Sequence, residues 1–170
     1  MFLYHPWPLL PGGGDHWQRF PLHYCILTHP LRVVAPQFLW IPGSRQILKE
    51  LPSRPAPYIV HCMEGKDRTG YVCALLEGLC GATYEEIVDD YLITYNNFFH
   101  LNPGNSPELC NTLVSLRLNT CLMYYAGVSD EAQLPNVDYA KAFSAYLLSH
   151  GMNHQQLDAL IQVLTTPWNP

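Results

Sequence analysis

His61-Cys62-Met63-Glu64-Gly65-Lys66-Asp67-Arg68-Thr69-Gly70 is the stretch on which the reading of this chain turns. Before it lies Pro57-Tyr58-Ile59-Val60, a short apolar segment of β type. After it, Val72, Leu75, Leu76 and Leu79 recur at helical spacing, which predicts a helix over Tyr71 to Cys80. The unit is therefore read as strand, tight loop, helix. A helix N-terminus carries unpaired N–H groups and partial positive charge, and so attracts anions. Gly65 can take a positive φ and turn successive amides inward. Arg68 can grip two phosphate oxygens with its planar fork, and Lys66 adds a second cation. The same field would hold Cys62 as a thiolate, the nucleophilic form. Thr69 has a hydroxyl placed to stabilise that sulfur as a leaving group, and His61 can orient the loop. Gly70 closes the motif. The bland alternative is a buried cysteine ahead of a capped helix.

Cys62, five residues, then Arg68-Thr69-Gly70, with His61 in front, resembles the signature loop of the cysteine-dependent protein-tyrosine phosphatase superfamily. The Gly65-Lys66-Asp67-Arg68-Thr69-Gly70 form is most similar to bacterial tyrosine phosphatases related to the dual-specificity and phosphoinositide enzymes. The similarity runs on through Ala74-Leu75-Leu76-Glu77, Gly81-Ala82, Glu86-Ile87-Val88-Asp89-Asp90-Tyr91 and Thr94-Tyr95-Asn96-Asn97. It covers residues 55–100 well, the helical tail loosely, and the first 40 residues not at all. The resemblance implies phosphomonoester hydrolysis through a phosphocysteine intermediate, with no metal and no cofactor. Phosphate would be held by Met63, Glu64, Gly65, Lys66, Asp67 and Arg68. It also implies a general acid. No Trp-Pro-Asp is found, which leaves Asp67 inside the loop and Asp15, the only aspartate before it; reach favours Asp67.

Bulk properties fit one soluble-type domain. The 170 residues are 48% hydrophobic and 14% charged, enough for a core and against global disorder. A formal net charge of −5 argues against nonspecific nucleic-acid binding but not against an anionic substrate at a local positive loop. No apolar run is long enough to span a membrane. Pro6, Pro8 and Pro11 interrupt the apolar core a signal peptide would need. The six cysteines form no C-x-x-C and no compact Cys/His cluster, so buried free thiols are favoured over disulfides or zinc. A working Cys62 suits a reducing compartment such as the cytoplasm, with secretion left open.

Residues 1–43 carry prolines, Gly12-Gly13-Gly14 and aromatics without a period; Tyr24-Cys25-Ile26-Leu27 and Leu31-Arg32-Val33-Val34 read as short strands. A phosphatase of this kind would have more sheet ahead of its nucleophile, so an N-terminally incomplete or diverged copy of marginal stability is expected. Ser44 is read as capping a helix to Leu51, ended by Pro52. Further on, Thr83-x-x-Glu86 is a capping box for a helix bearing Ile87, Val88, Tyr91, Leu92 and Tyr95. Asp89 and Asp90 read as a solvated face. Residues 96–105 read as a loop whose Phe98, Phe99 and His100 either wall the substrate pocket or simply pack. Ser106-Pro107-Glu108 starts a helix reaching Tyr124 or Tyr125; Asp138 and Asn153 cap two more, the first stopped by Gly151. His150 and His154 flank that glycine and are not expected to hold a metal.

The expected fold is α/β: a small central sheet flanked by helices, its N-terminal part incomplete, with a helical C-terminal half. One domain over 1–170 is expected, with a catalytic core at 55–100 and a helical tail at 106–166. The expected substrate is phosphotyrosine, with phosphoserine and phosphothreonine beside it. A phosphoinositide headgroup is the alternative that Lys66 suggests, and a phosphate-binding module without turnover is the non-enzymatic one.

Overall fold

The computed structural model describes residues 48, 49, 51–53, 60 and 65–166. Among these residues there is no strand, and the central sheet expected from the sequence is not found: the described structure is helical. Of the segments read as strands, 24–27, 31–34 and 57–59 lie outside the described residues, and Val60 is in no strand. The physical reason lies in the helix after the loop. The sequence reading gave it one apolar face and a sheet to cover. In the fold α1, Asp67–Leu79, buries Thr69, Gly70, Val72, Cys73, Ala74, Leu75, Leu76, Gly78 and Leu79, and is therefore enclosed on nearly every side. A helix apolar all round is a core element in its own right, and here other helices do the covering.

The helix ends follow local rules. α1 stops in a Schellman turn: Ala82 N–H donates to the Glu77 carbonyl, Gly81 N–H donates to that of Gly78, and Gly81 has φ of 90°. The expected capping box at Thr83 forms. Glu86 N–H donates to Thr83 Oγ1, Thr83 N–H donates to Glu86 Oε2, and α2 runs Tyr84–Phe99. That helix continues through Asn96-Asn97-Phe98-Phe99, where a loop was expected. It ends at His100, in the left-handed region at φ 58°, with the His100 carbonyl accepting from the Asn105 amide.

Pro107 opens the next helix as expected. The run consists of α3, Pro107–Leu113, a π-helical segment, Val114–Asn119, and α4, Thr120–Ala126, closed by Gly127 at φ 69°. A 3-10 turn, Glu131–Asn136, leads to α5, Tyr139–Ser149, capped by Asp138, and then to α6, His154–Thr165, with a capping box from Asn153 and Gln156. The expected helix to Leu51 is described only at 48, 49 and a 3-10 turn, Leu51–Ser53, against which α6 packs.

α1 packs most extensively on α5, where Phe143 lies against Gly78. Leu76, Ile87, Leu118, Leu122, Leu134 and Leu160 are fully buried in the same core cluster. Cys73, Cys110 and Cys121 are buried, Cys80 is exposed, and none of the four is in a disulfide. No helix among the described residues is long and apolar enough to cross a membrane.

Between α1 and α2, burial and the nearby Asp90 carboxyl push Glu77 up from 4.5 to about 9. Asp90 Oδ2 is itself buried without a hydrogen-bond partner among the described residues. A carboxyl raised on folding contributes stability that is complete below its unfolded value and is lost as pH rises through its folded value. The protein should therefore melt at falling temperatures from about pH 4.5 to about pH 9. Glu77→Gln should match the parent at the acidic end and melt higher at the alkaline end. Parallel melting curves for the two across that range would remove Glu77 as the cause.

Candidate active site

The candidate loop meets the described structure at Gly65. His61, Cys62, Met63 and Glu64 lie outside the described residues, as does Asp15. Gly65 has φ of 72°, the left-handed conformation that a glycine adopts without strain. Lys66 is the N-cap of α1 and supplies no side-chain cap; its carbonyl accepts from Gly70 N–H at 2.7 Å. The helix therefore starts at Asp67, four residues earlier than its apolar spacing indicated. Asp67, Arg68 and Thr69 form its first turn, and the positive end of the helix falls inside the motif.

Thr69 is 2% exposed, and its Oγ1 has no hydrogen-bond partner among the described residues. A buried hydroxyl without a partner is costly and calls for an explanation. Gly70 is held by close approach: a Cβ there would lie 2.7 Å from the Tyr91 ring.

The Asp67 carboxylate has partners on both oxygens. Oδ2 accepts from Arg117 Nη1 at 3.0 Å. Oδ1 accepts from the Tyr95 hydroxyl at 3.1 Å and from that of Tyr91 at 3.4 Å, and the two phenols lie 3.3 Å apart. The donors come from α2 and the π-helical segment, so one side chain ties the loop end of α1 to both. Burial above all pushes the phenols up, with the Asp67 carboxylate adding to it in each: Tyr95 to about 12 and Tyr91, where the Tyr95 phenol adds more than Asp67, and the neighbouring Tyr71 further. They remain neutral donors at ordinary pH. For Arg117, burial opposes the charge, but Asp67, Tyr95, Tyr71 and Tyr91 outweigh it and the net shift is upward.

Beside the loop, Lys66 Nζ lies 5.0 Å from the centre of the Phe99 ring, and Phe98 meets Phe99 edge-on at 4.8 Å. Both rings are a little under half exposed although they sit on a helix. The structure thus brings together Gly65, Lys66, Asp67, Arg68, Thr69 and Gly70, with Phe99 next to them. Among the described residues no group of His, Cys, Asp and Glu could hold a metal ion.

Arg117 was not legible as a site residue. It stands 50 residues from Asp67, inside Val114-Ser115-Leu116-Arg117-Leu118-Asn119. A lone cation in an apolar run was its only signal. Tyr91 and Tyr95 were read as one packing face, which they are, but their hydroxyls reach the loop helix.

Residues 32–166 match a family model described as tyrosine phosphatase family. No curated protein and no solved structure matches the chain.

Proposed function

Because this chain belongs to the tyrosine phosphatase family, we propose that it hydrolyses phosphomonoesters, phosphotyrosine first among them, through a phosphocysteine formed on Cys62. The observation that carries this reading is the first turn of α1. There Arg68 and a buried Thr69 hydroxyl, without a hydrogen-bond partner among the described residues, sit at the positive end of a helix, five residues after a cysteine. An anion at the helix start and a sulfur beside the Thr69 hydroxyl would suit this turn.

Phosphate enters the loop and is held by the amides of residues 63–68 and by the Arg68 guanidinium. The Cys62 thiolate attacks phosphorus in line; the P–S bond forms as the bond to the leaving oxygen breaks, and that oxygen takes a proton. Water then attacks the phosphocysteine. The P–S bond breaks, Thr69 donates to the departing thiolate, and inorganic phosphate is released. Positive charge and amides aimed at the phosphoryl oxygens lower both barriers. Asp67 is the proton donor of choice by position, and Asp15 is the other candidate. To donate, the Asp67 carboxyl must exchange Arg117 and Tyr95 for the leaving oxygen. Phe98 and Phe99, exposed beside Lys66, supply a surface on which an aryl phosphate can stack.

The test is a rapid quench of a labelled phosphotyrosyl peptide with the full chain, at mildly acidic and neutral pH. Label should appear on Cys62 before phosphate is released. Turnover without labelled protein would reject the intermediate. Phosphate binding with neither label nor turnover would make the chain a reader of phosphate, not a catalyst. A stronger preference for phosphoinositides in a parallel panel would move the substrate assignment.

A further inference from the structure

Asp67 poses an electrostatic problem for the site just proposed, and the solution lies 50 residues away. The loop is built to hold a dianion, yet it places a carboxylate between its two cations, Lys66 and Arg68. Unopposed, that charge would cancel one of them and repel phosphate. The carboxylate is only 17% exposed, so water screens it poorly. It is met by one guanidinium, Arg117, and by two neutral phenols.

The local structure around Arg117 is specialised for this aim. Val114–Asn119 is a π-helical turn between two α-helical stretches. An extra residue in a turn changes the direction of every side chain after it, and such turns occur often at functional sites. Here two polar side chains two positions apart serve two different neighbours. Arg117 reaches Asp67 on α1, while the buried Asn119 accepts from the Tyr84 hydroxyl and donates to Glu131 Oε1. Ser115 donates to Glu131 Oε2 and anchors the same turn. With the turn pinned at that end, Arg117 is held towards the loop helix although its side chain is 40% exposed.

We propose that Arg117 is a positioning residue for the phosphate site: it neutralises Asp67 and clamps it to α2 and the π-helical turn, so that the Asp67 charge does not weaken the pull of Lys66 and Arg68 on the bound phosphate. The inference rests on the phosphatase reading above. It concerns phosphate affinity and not the proton transfer, so it stands whether or not Asp67 is also the acid. Arg117 acts through Asp67, and the charge of the pair is the quantity that matters.

That gives a test by charge arithmetic, with inorganic phosphate as the probe. Its affinity for the full chain is measured by calorimetry at low ionic strength, with a thermal melt on each variant. The Asp67–Arg117 pair has charge 0 in the parent, −1 in Arg117→Gln, 0 in Arg117→Lys and 0 in Asp67→Asn with Arg117→Gln. Arg117→Gln should bind phosphate about tenfold more weakly. Arg117→Lys and the double variant should both return to within about threefold of the parent. The double variant separates the explanations, because it lacks the ion pair altogether and should still bind. A double variant as weak as Arg117→Gln would overturn the proposal, since Arg117 would then act by direct contact or by structure alone. Parent-like binding by Arg117→Gln would overturn it too. A parent chain that neither binds phosphate nor hydrolyses an aryl phosphate would instead overturn the phosphatase reading, and this inference with it.

Discussion

Cys62→Ser should lower turnover of a phosphotyrosyl peptide by about ten-thousand-fold or more while leaving inorganic phosphate bound within about threefold of the parent. The two numbers separate because they test different atoms. Turnover needs an ionised sulfur, and a serine hydroxyl in the same place is not ionised at neutral pH. Binding as proposed draws on the amides of the loop, the positive end of α1 and the Arg68 guanidinium, none of which the substitution removes. Steady-state kinetics on the peptide and calorimetry with phosphate read the two quantities. A serine variant that keeps even a tenth of the parental rate would show that Cys62 is not the nucleophile. One that loses phosphate binding in step with turnover would point to a collapsed loop.

The second large effect is on stability. Gly78→Val should destabilise the fold by about 3 kcal/mol or more, which lowers the melting temperature of a chain this size by roughly 6–12 °C. A Cβ at Gly78 would meet the Phe143 ring, 2.6 Å from Cδ2, and would lie 3.2 Å from Tyr139 Cβ. That ring cannot simply swing aside. Phe143 is fully buried, with the Tyr139 ring 5.1 Å and the Tyr125 ring 5.6 Å from it, each edge-on. Valine also loses χ1 freedom in a helix, although leaving glycine behind recovers part of that cost. The double variant with Phe143→Leu, which clears space at the contact, should recover part of the loss. An unchanged melt for Gly78→Val would mean that the α1–α5 contact has room for the added methyl groups.

The two effects belong to one helix. α1 carries the proposed phosphate site at its first turn and the close Gly78–Phe143 contact near its last. A helix enclosed by α2, the π-helical turn, α4 and α5 moves little as a body, so Arg68 and Thr69 inherit the rigidity of the core. That is the structural meaning of a core centred on a helix where a sheet was expected. Here Tyr91, Tyr95 and Arg117 hold Asp67 at the start of that helix.

What could be read from the sequence was local. The Thr83–Glu86 box, the Pro107 start, the Asp138 and Asn153 caps and the Gly151 stop all depend on residues within a few positions of one another, and each is found where it was expected. The α2 end was missed because asparagines and exposed aromatics at 96–99 look like a loop, while the terminating His100 adopts a left-handed conformation that its residue type does not announce. The start of α1 was missed because Asp67, Arg68 and Thr69 are polar, and an apolar period cannot register a polar first turn.

By itself, the order of residues determined the motif from His61 to Gly70, the family to which it belongs and most helix ends, because each of these is written in neighbours along the chain. Tertiary structure alone decided that α1 is the enclosed centre of the described residues and that Arg117 meets Asp67 across 50 positions. Burial and charge pairing depend on which surfaces come together in space, and no spacing along a helix reports that.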